Sequence, residues 1–174
     1  MSGTWYSGGH CEVPCPSPFR RRSPRRRHGR VASAVIGLLD VNVLVALLVP
    51  EHQHHTRSMD WFATQAGQQG WATCAVTELG VIRCAQLPGG AWPAETTADR
   101  LLLLTATGRD YVFWPDAVSP AVMPEVRTAS TGKQITDRYL LGLARRHGGR
   151  LITFDRALAA AGGHDVVCLL PAGG

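Results

Sequence analysis

Short apolar segments alternate with helix-like segments along this chain, and this alternation restricts the possible folds more than any other feature. Five segments have the length and residue types of strands covered on both faces: 34–39, 71–74, 111–114, 150–154 and 166–170. The segments between them carry helical spacing or helix-end signals: 42–49, 55–69, 76–86, 94–107, 136–147 and 156–161. Strands joined by helices imply right-handed crossovers. The sequence therefore predicts a three-layer α/β/α fold with a five-stranded parallel sheet.

Several side chains can be assigned within this scheme. Thr136 is predicted to cap helix 136–147, and Gly148-Gly149 to terminate it. Arg145 and Arg146 then form a solvated helix end that the helix dipole favours. Leu101, Leu102 and Leu104 of helix 94–107 are expected to face the core. Phe113 of the third strand is expected in the core or at an interface.

The net charge of +5 belongs to one end of the chain. Residues 1–30 hold seven of the 18 basic residues and one of the 13 acids, so 31–174 carry 11 − 12 = −1. The composition of the first segment, rich in Gly, Pro, Ser and Arg, predicts a basic, disordered extension over 1–34 and a domain over 35–174. Two interpretations of the extension stay open: an electrostatic arm for nucleic acid, or a segment upstream of the native start.

The apolar stretch 31–50 is similar to a signal peptide or a membrane span, but Asp40 lies near its centre. A central Asp costs about 2.5–3.5 kcal/mol on insertion scales, whereas a buried strand and helix explain the same residues. The five cysteines are odd in number and scattered, which favours reduced thiols, and Cys11 and Cys15 lack partners for a zinc site. We expect no transmembrane segment, no cleavable signal and a cytoplasmic protein.

Four acids fall where a predicted strand gives way to a helix or in the first turn of a predicted helix. Asp40 follows the first strand, and Asp155 follows the fourth. Glu78 lies in the first turn of helix 76–86, and Asp137 in that of helix 136–147. Each acid alone is explained by helix capping. In a parallel sheet, however, these junctions share the carboxyl edge, so we expect the four carboxylates to converge.

Such a cluster points to a hard divalent cation. Carboxylates in one cleft raise one another's pKa unless a cation neutralises them. Mg²⁺ and Mn²⁺ take oxygen ligands and keep waters for a substrate phosphate, which suits phosphodiester hydrolysis. The sequence has no GxxxxGK[ST] loop for nucleotide phosphates, and no Ser-His-Asp or Cys-His spacing stands out.

Four motifs in order resemble those of PIN-domain nucleases, and most closely the VapC toxins of bacterial toxin–antitoxin pairs. They are Leu38-Leu39-Asp40-Val41-Asn42-Val43-Leu44, Thr77-Glu78-Leu79, Thr136-Asp137-Arg138-Tyr139-Leu140 and Thr153-Phe154-Asp155-Arg156. The resemblance covers about residues 35–170. The arginine-rich extension has no counterpart in the family pattern.

This resemblance implies a Mg²⁺- or Mn²⁺-dependent endoribonuclease that cleaves structured RNA such as tRNA or ribosomal RNA. Asp40, Glu78, Asp137 and Asp155 match the family's acidic quartet, which is catalytic and binds the metal. Asn42 and Thr153 match its supporting polar positions. The resemblance also implies a cognate antitoxin similar to VapB that covers the site, and a homodimer.

Three further residues or groups have more than one interpretation. Arg138 is a contact for a phosphate or an antitoxin carboxylate, or a plain surface arginine. The run His52-Gln53-His54-His55 has no known zinc spacing and is expected in a solvated loop. Trp92 lies in a Gly/Pro loop, where it can contact RNA or a partner protein.

Two other functions are alternatives to the nuclease. A phosphatase of the haloacid-dehalogenase type needs a second Asp two residues after the first, and position 42 is Asn, which cannot act as that general acid. A catalytically silent PIN module that binds RNA or a partner has no reason to retain four acids.

Overall fold

Five parallel strands form one sheet in the computed structural model, which describes residues 35–86 and 92–171. The strands are β1 (Gly37–Leu39), β2 (Trp71–Cys74), β3 (Tyr111–Trp114), β4 (Arg150–Thr153) and β5 (Val166–Cys168). Their order is β3-β2-β1-β4-β5, and every neighbouring pair is parallel. The predicted extension 1–34, with Cys11 and Cys15, lies outside the described residues, as does the predicted loop at 87–90.

Helices connect the strands as the alternation predicts. They are α1 (Val41–Leu48), α2 (His55–Trp61), α3 (Gly67–Gln69), α4 (Ala75–Cys84), α5 (Ala94–Thr107), α6 (Pro124–Arg127), α7 (Gly132–Arg146) and α8 (Arg156–Gly162). A π-helical turn, Phe62–Ala66, joins α2 to α3, so the predicted helix 55–69 is one helical segment with a local irregularity. Within the described ranges, no helix is both long and apolar enough to cross a bilayer.

The sheet is covered on both faces, because successive strand residues face opposite layers. Leu39, Trp71 and Ile152 pack in one hydrophobic cluster with buried residues of α1. Their chain neighbours Leu38, Ala72 and Leu151 pack in a second cluster with buried leucines of α7. The predicted α/β fold with helices on both sides of a five-stranded parallel sheet is therefore confirmed.

The start of α7 was predicted wrongly. The helix begins at Gly132 after Thr131, so Thr136 is an internal residue and Asp137 lies in the second turn. The early start is supported by Gln134, whose side-chain oxygen accepts a hydrogen bond of 3.0 Å from the backbone N–H of Ser130. The predicted end is correct, because the chain turns at Gly148 with φ of +65°.

The predicted environments of Leu102 and Arg145 were also wrong. Leu102 is 63% exposed, because it lies on the outer side of α5, whereas Leu101 is buried. Phe113, predicted in the core or at an interface, lies outside the core: it is 43% exposed, since β3 is an edge strand. Arg145 is not simply solvated: its guanidinium pairs with Glu125 at 3.3 Å and with Asp165 at 2.7 Å.

Candidate active site

Two of the predicted acids lie side by side at the carboxyl edge of the sheet. Asp40 directly follows β1, and Asp155 follows β4, the strand paired with β1. Each begins a helix: Asp40 Oδ1 accepts a 2.7 Å hydrogen bond from Val41 N, and Asp155 Oδ1 accepts one of 2.9 Å from Leu158 N. The two acids thus cap their helices, as local propensity predicts, and also share one edge of the sheet.

Thr153 connects these two acids. Its buried hydroxyl donates to Asp40 Oδ2 at 2.7 Å and accepts from the Asp155 backbone N–H at 3.1 Å. It also accepts from Asn42 Nδ2 at 3.2 Å. The predicted supporting residues, Asn42 and Thr153, therefore both contact the network that orients Asp40.

Asp137 reaches the same edge from α7, on the opposite face of the sheet from α1. Burial, and to a smaller extent the charges of Asp40 and Asp155, raise its pKa to about 6, while the charge of Arg138 opposes the shift. Burial likewise raises the pKa of Asp40, and the charge of Asp155 adds to this effect. Three carboxylates from three separate segments therefore repel one another in one place.

Glu78 is held one strand away, above β2. Its Oε1 atom accepts a hydrogen bond of 2.5 Å from the Thr73 hydroxyl and one of 3.3 Å from the Tyr111 hydroxyl. The two hydroxyls are themselves 2.8 Å apart. Both contacts engage the same carboxylate oxygen, so Oε2 is left for a ligand. The structure thus brings Asp40, Asp137 and Asp155 within electrostatic range of one another. Glu78, the fourth predicted acid, is held separately by the hydroxyls of Thr73 and Tyr111.

Sequence analysis missed Thr73 and Tyr111. Thr73 lies in an apolar run, where a threonine is an ordinary strand residue. Tyr111 approaches it only because Trp71 pairs with Tyr111 in the parallel register of β2 and β3. A local pattern carries no information on that register.

The donor set suits a divalent cation bound partly through water. Among the described residues, no three His, Cys, Asp or Glu side chains converge closely enough to hold one metal ion directly. Mg²⁺ commonly takes only one or two carboxylates and keeps several waters. Asn42 Oδ1, beside Asp40, is buried without a hydrogen-bond partner in the described part of the chain. An unpartnered buried acceptor is costly, and a water of a hydrated cation would satisfy it.

Residues 37–163 match the family model for the PIN domain. This chain belongs to the PIN-domain family. Three similar proteins of Mycobacterium tuberculosis strain H37Rv are named Ribonuclease VapC39, VapC29 and VapC38. The PIN-domain chain is 39% identical to VapC39 over 76% of its own length and 98% of the relative. It is 42% identical to VapC29 over 77% of its own length and 96% of that relative. It is 44% identical to VapC38 over 69% of its own length and 85% of that relative. The predicted resemblance to PIN-domain proteins of the VapC type is confirmed.

The PIN-domain fold is also similar to a solved structure. A chain in the structure of FitAB bound to an IR36 DNA fragment superposes with a TM-score of 0.53. The match has 18% sequence identity and covers 76% of this chain and 94% of that chain. At this identity, the similarity concerns the fold alone.

Proposed function

We propose that this PIN-domain protein is a metal-dependent endoribonuclease toxin of a type II toxin–antitoxin pair. Its substrate is a structured RNA, tRNA or ribosomal RNA, and a cognate antitoxin similar to VapB inhibits it. The observation that carries the proposal is the meeting of Asp40, Asp137 and Asp155 at one sheet edge, where their charges act on one another. The names of the relatives, all ribonucleases, support the reaction class.

In this proposal, Asp40, Glu78, Asp137 and Asp155 hold Mg²⁺ or Mn²⁺, directly or through water. When bound, such an ion activates a water, neutralises phosphate charge and stabilises the departing 3′ oxygen. The products are a 5′-phosphate and a 3′-hydroxyl.

The other site residues orient these acids. Thr153 fixes Asp40 by donating to its Oδ2 atom, and Asn42 in turn fixes Thr153. Arg138, next to Asp137, is assigned to the substrate phosphate or to an antitoxin carboxylate. Cytoplasmic location and a homodimer complete the proposal.

A catalytically silent PIN module is the second candidate, and one observation favours it: within the described ranges, no three His, Cys, Asp or Glu side chains lie close enough to hold one metal ion directly. A silent module would still bind RNA or a partner. It would gain nothing from the mutual repulsion of the buried Asp40 and the half-buried Asp137, because such groups destabilise a fold.

Sequencing of RNA 5′ ends after brief induction tests the proposed function directly. Wild-type protein should produce new 5′-phosphate ends at a few sites in tRNA or ribosomal RNA and should arrest growth, whereas Asp40→Asn should do neither. Identical end profiles for the two proteins would contradict the nuclease. Free growth with cleavage intact would contradict only the toxin assignment.

Tyr111→Phe tests the position of Glu78. The substitution removes one of two hydroxyls on Oε1 but keeps the ring, which packs on Trp71 with centroids 4.7 Å apart. Loss of a residue that orients a ligand costs about 10- to 100-fold in metal affinity or activity. We expect kcat to fall by that amount with KM nearly unchanged, together with weaker Mn²⁺ binding measured by calorimetry.

Tyr139→Phe is the matched control for this variant, because it also removes the hydroxyl of a buried tyrosine. The Tyr139 hydroxyl contacts Asp116 and not Glu78. It should alter thermal stability and leave Mn²⁺ affinity unchanged. Equal loss of Mn²⁺ affinity in both variants would show that the Tyr111 hydroxyl has no specific effect on Glu78.

A further inference from the structure

Basic side chains lie against one flank of the acidic site, on the side of β5. We name His52, His54, Arg57 and Arg156 the basic rim. The ring of His54 packs on Phe154 with centroids 4.5 Å apart, and Phe154 immediately precedes Asp155. Arg156 immediately follows it. The rim therefore contacts Phe154, the residue before Asp155, and includes Arg156, the residue after it.

Hydrogen bonds to the segment that follows β5 hold the two arginines. Arg57 Nη1 donates to Leu169 O, and Arg156 Nη2 donates to Pro171 O, both at 3.1 Å. Leu169 N in turn donates to Thr153 O at 2.9 Å. Since the Thr153 hydroxyl binds Asp40, one short chain of contacts connects Arg57 to the acidic site.

The histidine run is a hydrogen-bonded loop that enters α2 at His55. His52 Nδ1 accepts from His54 N at 3.1 Å, and His55 Nδ1 lies 2.8 Å from Ala46 O of α1. Because Nδ1 of His52 is an acceptor, the neutral ring carries its proton on Nε2, which is a donor. A run that the acidic site does not use thus presents polar rings at a defined place beside Asp155.

Among the described residues, no acid forms an ion pair with the rim arginines, Arg57 and Arg156. In the part of the chain that the structure describes, the ion pairs of arginines and histidines involve only Arg145 and His164. Glu51 and Asp60 are the exposed acids of the same stretch, and neither is within 4.0 Å of an Arg57 nitrogen. Arg57 and Arg156 are exposed, and each keeps most of its five N–H donors for an external acceptor.

We propose that the basic rim binds phosphates of the RNA strand next to the scissile bond, so that the substrate leaves the cleft on the β5 side. This inference rests on the proposed ribonuclease function. A polyanion entering a cleft with three carboxylates is repelled, and fixed guanidinium groups beside the cleft offset that repulsion. Because these guanidinium groups lie beside Asp155, an RNA strand bound for cleavage must pass them. An acidic protein need not, so the position favours the substrate as the ligand.

Binding of a fluorescein-labelled tRNA transcript, measured by anisotropy at several KCl concentrations, tests the proposal. The protein carries Asp40→Asn so that the RNA is not cleaved. Adding Arg57→Gln and Arg156→Gln should weaken binding about tenfold per arginine. The slope of log Kd against log[KCl] should fall by about 0.7 to 0.9 for each lost phosphate contact. Arg57→Lys with Arg156→Lys keeps the positive charge and should retain the slope. This pair also shows whether substitution at these two positions disturbs the fold.

Arg146→Gln with Arg150→Gln is the matched control, because it removes the same charge from exposed arginines at the opposite, amino edge of the sheet. Equal slopes for the rim and control pairs would overturn the proposal. Unchanged tRNA binding with weaker binding of a labelled polyglutamate peptide would also overturn it, in favour of an acidic protein. Rim-dependent binding without cleavage by the wild type would support the rim and contradict the nuclease.

Discussion

Asp40→Asn is expected to lower RNA cleavage by on the order of 10³-fold or more, because a single preorganised electrostatic contact at a reacting centre is often worth that much. Asp40 lies at the centre of the proposed site: it directly follows β1, caps α1 and accepts a hydrogen bond from the Thr153 hydroxyl. The amide keeps the shape of the side chain but not its charge. Cleavage of a labelled tRNA transcript by purified protein measures the effect.

The same substitution should not unfold the protein. Burial raises the pKa of Asp40, so its ionised form is destabilising at neutral pH, and a neutral amide removes that cost. The amide oxygen can still accept from Val41 N, although the contact with Thr153 becomes poorer. We expect a Tm equal to or above that of the wild type. Asp99→Asn, on the exposed surface of α5, is the control and should retain full activity.

An inactive Asp40→Asn with a collapsed Tm would indicate a structural role alone. An active Asp40→Asn would remove the acidic site from the mechanism.

The sequence predicts those parts of the site that depend on local signals. Asp40 and Asp155 follow short buried strands and begin helices, so strand order is not needed to place them at the carboxyl edge. Asp137 is different: its helix was predicted to begin four residues too late. Asp137 still reaches the carboxyl edge, because its position depends on where α7 crosses the sheet. Whether it lies in the first or the second turn of the helix does not matter for this.

Long-range pairing explains what the sequence does not predict. The contact of Tyr111 with Glu78 requires β3 to lie beside β2 in one register. The exposure of Phe113 requires β3 to be an edge strand, and an apolar run does not reveal its place in a sheet. The ion pairs of Arg145 join α7 to Glu125 and Asp165, each 20 residues away in sequence. Each is set by the tertiary arrangement.

Removal of divalent cations is expected to abolish cleavage, again by on the order of 10³-fold, and excess Mg²⁺ or Mn²⁺ should restore it. Asp40, Asp137 and Asp155 concentrate negative charge at the carboxyl edge of the sheet, and this charge repels a phosphodiester unless a cation offsets it. Cleavage in excess EDTA at the untreated rate would contradict metal dependence. Direct Mn²⁺ binding, measured by calorimetry, should be lost in Asp40→Asn.

The metal-free protein should show a matching dependence of stability on pH. The pKa of Asp137 is raised from 3.8 to about 6, so the folded state binds more protons than the unfolded state between these values. Stability from this group therefore increases as pH falls from about 7 toward 4. The increase is at most about 3 kcal/mol, and less because Asp137 is only half-buried.

The difference between wild type and Asp137→Asn isolates this contribution. His52 and His147 act in the opposite direction, because burial lowers their pKa values, and both are present in the two proteins. Thermal unfolding in EDTA should show wild type gaining stability relative to Asp137→Asn on acidification. Saturating Mg²⁺ should reduce that gain, since a bound cation keeps the carboxylates ionised. The same gain with and without Mg²⁺ would mean that Asp137 does not sense the metal.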